Sequence, residues 1–188
     1  TINGASLFVG TGGSLNVARD DVVTTGAVGF EVSGASFSLA TVTQGTTSFT
    51  GLEATITNAQ LLGIDAVDLQ VSGTVKYNST SVVDGPRIDW STATTEPSTA
   101  VNLLPALTVT SAQELSASGS AYLNIAEGTL VASVGSFTLD IATANIDTGN
   151  DALGTAGVLA DAKIISASFE QVNFFAGING PGLDPLTG

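Results

Sequence analysis

The stretch ATITNAQLLGI, residues 54–64, begins with the alternation of apolar and polar residues that is typical of a β-strand. Ile56 continues an apolar face of even-numbered positions, but Ala59 and Leu61 stand at odd-numbered positions. A one-residue slip of this kind sends side chains to the opposite face of a sheet unless the strand bends or bulges there. The sequence therefore predicts a built irregularity between Ile56 and Ala59.

Related segments of six or seven residues recur along the chain at intervals of about 54 residues. TINGASL, TITNAQL, TVTSAQ and KIISASF begin at residues 1, 55, 108 and 163. In each copy an apolar residue is followed by Asn, Gly or Ser and then by Ala. Self-similarity at a fixed period indicates a repeat architecture. We therefore expect three units, residues 1–54, 55–107 and 108–162, and a partial fourth unit, residues 163–188.

The repeated strands predict an all-β, β-solenoid-like stack of units, in which each rhythm break is a corner of the coil. A twisted antiparallel β-sandwich or meander is the main alternative, and propeller blades are a further one. In the second unit we expect strands at 54–64, 67–77 and 86–94, while 151–162 is the single candidate for a short helix. Variable segments at 44–51, 94–105 and 144–157 should lie together on one side of the stack, because repeat insertions map to one side.

The composition excludes several functions. The net charge is −13, with 17 acidic residues against four basic ones, Arg19, Lys76, Arg87 and Lys163. This balance argues against nucleic-acid binding and against adsorption to anionic lipid. The chain has no Cys and no His, which removes disulfides, thiolate metal sites and the usual general base. No apolar run is long enough for a membrane span, so no membrane insertion is expected.

One loop sequence suggests a metal site. In Asp147-Thr148-Gly149-Asn150-Asp151, oxygen ligands from Asp147, Asn150 and Asp151 could hold calcium, a hard cation that prefers six to eight oxygens. The alternative is a polar turn without a bound ion.

Other candidate residues have weaker signals. Carboxylates cluster in Arg19-Asp20-Asp21 and in Asp84-Gly85-Pro86-Arg87-Ile88-Asp89, where paired acids could serve glycoside hydrolysis but local ion pairs are the simpler interpretation. Asn78-Ser79-Thr80 matches an N-glycosylation acceptor. Trp90, the single tryptophan, is expected in the core.

Several segments together resemble degenerate β-repeats of very large bacterial extracellular surface proteins of adhesin-like type. These segments are Leu69–Val75, Ile88–Thr92, Leu104–Val109 and Leu115–Ser120. The resemblance implies a secreted, cell-surface protein, often one with calcium-binding modules, and carries over no catalytic residues.

We therefore expect a non-catalytic structural or adhesive segment of an extracellular bacterial protein. It would associate with itself end to end, into a fibre or surface layer. The alternative is a module that binds a glycan or protein ligand through its variable loops. The first residue, Thr1, suggests a processed product or an excised segment without a signal peptide.

Overall fold

A computed structural model describes residues 1–96, 101–126, 128–149 and 157–178. These residues form nine β-strands: β1 (Ile2–Thr11), β2 (Ser14–Leu15), β3 (Val22–Val23), β4 (Val28–Gln44), β5 (Thr47–Leu62), β6 (Val67–Thr80), β7 (Gln113–Ile125), β8 (Leu130–Asp147) and β9 (Val158–Ala176). Seven of them build one antiparallel sheet in the order β1-β4-β5-β6-β7-β8-β9, and β2 pairs with β3 separately. The prediction of an all-β fold is confirmed.

The sheet is a meander, since from β4 to β9 each strand pairs with the next strand along the chain. This topology fits the predicted antiparallel alternative, and the described residues contain no solenoid coil. The strand predicted at 86–94 is wrong, because these residues belong to the long connection between β6 and β7. The helix predicted at 151–162 is also wrong over the residues that the structure describes. Residues 158–162 belong to β9, whereas 151–156 lie outside the described residues.

The rhythm break in the opening stretch is a β-bulge. In the pairing of β5 with β6, Ile56 lies opposite Gly73 and Ala59 opposite Val71, so Thr57 and Asn58 together face one residue. The strand continues in the same sheet instead of turning a corner of a coil, which corrects the expected role of the break. β1 has a comparable irregularity at Asn3–Gly4, where Gly4 has a φ of 65°.

The bulges lie between two rows of cross-strand partners that run through all seven strands. The first row contains Ala5, Ala35, Ile56, Gly73, Gly119, Phe137 and Phe169. The second contains Leu7, Val32, Ala59, Val71, Ala121, Val134 and Val172. Between these rows β4, β5, β8 and β9 have two residues, while β1, β6 and β7 have one. The extra residue therefore recurs at one level of the sheet.

The bulges keep the apolar side chains on one side of the sheet. Cross-strand partners share a face, and so do residues two apart in a regular strand. In β6 the apolar residues stay at odd positions throughout, as in Val67, Val71 and Val75. In β5 they change from even positions to odd ones, and the extra residue compensates for the change. We call this side the apolar face and the other side the loop face.

Three connections lie together at one end of the sheet, where the sequence pattern predicts the variable segments side by side. The hairpin between β4 and β5, the connection 81–112 and the connection 148–157 all join strands at the same end of the sheet. Phe49 pairs there with Thr80, Gln113 with Ala142 and Asp147 with Val158. Of the three variable segments predicted from the sequence, 44–51 lies at the hairpin between β4 and β5, and the described parts of 94–105 and 144–157 lie in or next to the other two connections, while 97–100 and 150–156 lie outside the described residues. The unit boundaries at 54/55 and 162/163 lie inside β5 and β9, and the division into four units stays a prediction.

Deleting Asn58 should destabilise the protein by about 3 kcal/mol or more, because the deletion would turn either half of β5 toward the wrong face. Asn58→Ala keeps the residue count and should change the free energy of unfolding by less than about 1 kcal/mol. Its Oδ1 atom is buried without a hydrogen-bond partner among the described residues, so little is lost. Urea denaturation of both variants measures the difference. Equal stabilities would contradict the compensating role of the bulge.

Candidate functional site

The connection 81–112 covers part of the loop face and forms the main core there. Trp90, Leu107 and Val109 pack on Ala40 of β4, and all four side chains are buried. Trp90 lies over Gly51 so closely that a Cβ atom on Gly51 would come within 2.6 Å of the indole ring. The expected core position of Trp90 is confirmed, although this residue packs from a loop instead of from a strand.

Asn78 of β6 anchors this loop. Its Nδ2 donates hydrogen bonds to the carbonyl oxygens of Ile88 at 2.9 Å and Thr110 at 2.8 Å. Its Oδ1 accepts one from Nε1 of Trp90 at 2.9 Å. The side chain is 1% exposed, so the N-glycosylation acceptor that the sequence suggests is closed to modification in this fold. The amide instead binds both ends of the loop to the sheet.

A second anchor joins the loop to β5. The carboxylate of Glu53 accepts hydrogen bonds from the Thr108 backbone N–H at 2.8 Å and from the Thr108 hydroxyl at 3.0 Å. Backbone pairing of Ser91 N–H with the Val109 carbonyl, at 3.2 Å, holds the two arms of the loop together. The loop is therefore a docked element of the fold.

Next to the docked loop, a polar cleft of about 850 Å³ opens at the loop end of the sheet. It is lined by Asp84, Gly85, Pro86, Arg87, Ser111, Ala112, Glu114, Thr143, Asp161 and Lys163. Glu114 accepts a hydrogen bond from Arg87 at 2.6 Å and forms an ion pair with Lys163 at 3.0 Å. Two of the four basic residues of the chain therefore meet at one carboxylate.

The electrostatics of this cluster favour the charged carboxylate. Partial burial raises the pKa of Glu114, but hydrogen bonds from Lys163 and Thr143 and the positive charges of Arg87 and Lys163 outweigh it. The net effect is a pKa below the usual value for glutamate. The three lining carboxylates, Glu114, Asp84 and Asp161, exceed the two basic residues of the cleft by one formal charge, so charges of both signs line it and nearly balance.

Of the three predicted calcium ligands, the structure describes Asp147. Asp147 ends β8, and its Oδ1 accepts a hydrogen bond from the Gly149 backbone N–H at 2.9 Å, which is a polar turn. Asn150 and Asp151 lie outside the described residues. Within the described part of the chain no three or more Asp or Glu side chains group together as a metal site would require. Calcium binding through Asp147, Asn150 and Asp151 stays a prediction.

The two acidic clusters lie at opposite ends of the sheet. Asp20 and Asp21 belong to the connection between β1 and β4, where Asp20 accepts a hydrogen bond from the Asn16 amide at 2.7 Å. Asp84 and Asp89 belong to the 81–112 connection, and Asp89 accepts hydrogen bonds from Ser91. The structure therefore does not bring the clusters together, and the carboxylates that have partners here stabilise local turns.

Sequence reasoning missed the anchoring role of Asn78 and the central place of Glu114. Asn78 stands at a polar position in an alternating strand, and only its glycosylation triplet marked it. Glu114 stands 27 residues from Arg87 and 49 residues from Lys163, so no local pattern could join the three. The one signal in the sequence was that the chain has only four basic residues, each of which has many carboxylates available as partners.

Comparisons of the chain with protein-family models, curated proteins and solved structures find no match. The site is therefore interpreted from its own geometry. Among the residues that the structure describes, none forms a helix long and apolar enough to cross a membrane.

Asn78→Ala should lower the stability by about 2–4 kcal/mol, because it leaves the Trp90 N–H and two carbonyl groups without their buried partner. The emission of Trp90, the single tryptophan, should shift to the red as the loop loosens. Fluorescence-detected urea unfolding measures both effects. Ser79→Ala, one residue along on the apolar face, is the control. An unshifted Asn78→Ala spectrum with wild-type stability would refute the anchor.

Glu114→Gln should destabilise the protein by about 1–2 kcal/mol at neutral pH, through loss of its charge-assisted hydrogen bonds. Since the folded-state pKa of Glu114 is lowered, its contribution is present above the unfolded-state pKa and is lost as the pH falls through the folded-state value. The stability difference between wild type and variant should therefore shrink below about pH 4. Melting temperatures across pH 3–7 measure it. A difference that stays constant with pH would contradict the charged pairing.

Proposed function

We propose that the chain is a non-catalytic structural repeat segment of an extracellular bacterial protein, and that its sheet grows edge to edge into a fibre or surface layer. The observation that supports this proposal most is the pair of open edges. In the described sheet β1 pairs only with β4 and β9 only with β8. Each outer strand leaves a row of backbone N–H and C=O groups able to pair with another chain.

The two edge strands are protected against such pairing only over part of their length. Natural edges are blocked by charged side chains, especially Lys, by Pro, by β-bulges or by short strand length. β1 has its bulge at Asn3–Gly4, and the charged residues of β9 are Asp161, Lys163 and Glu170. β1 contains neither a charged residue nor a proline. β9 is 19 residues long, and its segment Ile164–Phe169 is uncharged and free of proline. Growth at these edges would add strands in one dimension, as stacking adds units in a repeat protein.

The topology selects how the edges would meet. In a meander of seven strands the first and last strands run in the same direction. Joining β9 to β1 of a translated copy would therefore make a parallel pair. Two-fold pairing of β9 with β9, and of β1 with β1, gives antiparallel pairs and keeps the apolar faces on the same side. A fibre built in this way alternates the two contacts.

The solenoid-like repeat belongs to the same proposal. Units of about 54 residues would each contribute roughly two strands, and successive units would extend the sheet as coils extend a solenoid. Calcium at Asp147, Asn150 and Asp151 would order the loop end of such a stack. The adhesin-like resemblance and the cell-surface location also remain part of the proposal.

Proline substitution tests the edge contact of β9. Successive residues of a strand direct their N–H groups to alternate sides, so one of Ser166 and Ala167 donates toward β8 and the other toward the free edge. Of Ser166→Pro and Ala167→Pro, the edge-facing variant should keep the wild-type melting temperature but lose filaments in electron micrographs and sedimentation. The inward-facing variant is the control and should unfold more easily. Filaments formed by the stable variant would refute β9 pairing.

Only monomers of the wild type at high concentration, with and without calcium, would refute edge assembly as a whole. High concentration is the sensitive condition for this test, because fibre growth depends steeply on protein concentration.

A second candidate function is ligand binding at the loop end, and the polar cleft beside Glu114 favours it. Its lining includes Asp84, Arg87 and Asp161, which can donate to or accept from the hydroxyl groups of a glycan. The double substitution Asp84→Ala and Asp161→Ala, which removes two carboxylates from the lining of the cleft, separates the two functions. A scaffold keeps assembling after this replacement, whereas a binding module loses its ligand on a glycan array.

A further inference from the structure

The apolar face runs across the whole sheet without a charged or polar side chain in its central rows. Besides the two rows beside the bulges, a third row contains Ile2, Phe37, Ala54, Val75, Ala117, Leu139 and Ala167. Large side chains on this face are open to solvent. Val75 is 40% exposed, Phe169 62% and Phe174 70%. A sheet that leaves one face so apolar requires a second layer against it.

The described chain does not supply that layer. Its longest connection, 81–112, packs on the opposite side, where Trp90 and Val109 cover Ala40. The buried core that results is small and belongs to the loop face. No described segment therefore covers the apolar face.

We propose that a second copy of this chain covers the apolar face, so that two sheets pack face to face as a sandwich. The face spans six inter-strand spacings of about 4.8 Å and, from Val67 to Tyr77, ten residue steps of about 3.3 Å. It therefore offers about 1,000 Å² per copy, or about 2,000 Å² for a pair. Stable protein interfaces bury about 1,200–2,000 Å². The area is sufficient for a lasting dimer.

The charge distribution permits this contact despite the net charge of −13 on each copy. The carboxylates of the regular strand segments lie on the loop face, as their cross-strand partners show: Glu31, Glu53, Asp68, Asp140 and Glu170. Face-to-face packing directs all of them outward into solvent and brings uncharged side chains together in the central rows. Lys163, which pairs with Thr143 two residues beyond Ile165, lies at the loop end of the apolar face, outside these rows. Like-charge repulsion across the interface is thereby small.

The same charge disfavours a membrane as the occupant. An acidic protein is repelled by anionic lipid surfaces, and the described strands provide only Lys76 and Lys163 as counter-charges. A broad, seven-stranded face also matches another sheet better than it matches a single acyl chain, which would cover a fraction of it. Two such faces related by a two-fold axis are self-complementary by symmetry, and aligned sheets pack about 10 Å apart.

Adjacent lysine substitutions on β7 test this dimer. Ala117→Lys places a charge in the apolar face, whereas Ser118→Lys places it on the loop face opposite Thr74 and Thr138. Sedimentation equilibrium should show a wild-type dimer, a dimer weakened at least ~100-fold by Ala117→Lys, and an unchanged dimer for Ser118→Lys. Circular dichroism checks that both variants fold. Val75→Thr, which keeps side-chain shape, should weaken the dimer about 10-fold and serves if Ala117→Lys unfolds.

The experiment is carried out with the edge-blocked, stable proline variant of β9 as well as with the wild type. A dimer that persists in the edge-blocked protein and depends on Ala117 supports the face contact even if filaments never form. A wild-type monomer at high concentration, or a dimer insensitive to Ala117→Lys and Val75→Thr, overturns the proposal. Binding of the monomer to neutral phosphatidylcholine vesicles in place of dimerisation overturns it as well, because the occupant is then lipid.

Discussion

The structure depends on the count of residues between two cross-strand rows. Side chains alternate with a period of two, so a single extra residue reverses the faces of everything beyond it. In this chain the apolar pattern itself changes phase where the extra residue stands, as between Ile56 and Ala59. The two reversals cancel, and strands with different residue counts contribute to one apolar face. Neither the pattern nor the bulge alone would build this sheet.

Everything else follows from having two unlike faces. The loop face holds the carboxylates, the polar ladders such as Ser72 with Ser120, and the docked connection anchored by Asn78. Among the described residues none covers the apolar face in this way, and the outer strands β1 and β9 have no outer neighbours in the described sheet. The molecule is thus open in two directions, along the sheet and perpendicular to it. Edge pairing would satisfy the free backbone hydrogen-bonding groups of the outer strands, and face pairing would cover the apolar side chains. The two contacts are independent of each other.

The strands could be predicted from the sequence, because the alternation of apolar and polar residues is set by neighbouring residues along the chain. The strands at 54–64 and 67–77 and the irregularity after Ile56 follow from it. The 86–94 segment could not be assigned correctly, because Ile88 and Trp90 alternate like strand residues yet lie in a loop, where Trp90 packs on Gly51 and Ile88 packs against the same core. The Glu114 cluster was also inaccessible, since its partners are distant in sequence. A solenoid and a meander share the same strand periodicity, and only the pairing order distinguishes them.

The most direct measurement is a single-cysteine scan of β5 and β6, which the absence of native cysteines makes straightforward. Each variant is labelled with a fluorophore that reports the polarity of its surroundings. Apolar surroundings should occur at even positions from 52 to 56 and at odd positions from 59 to 61. In β6 they should stay at odd positions from 67 to 77. An unbroken phase along β5, or a phase change in β6, would contradict the compensating bulges on which this account depends.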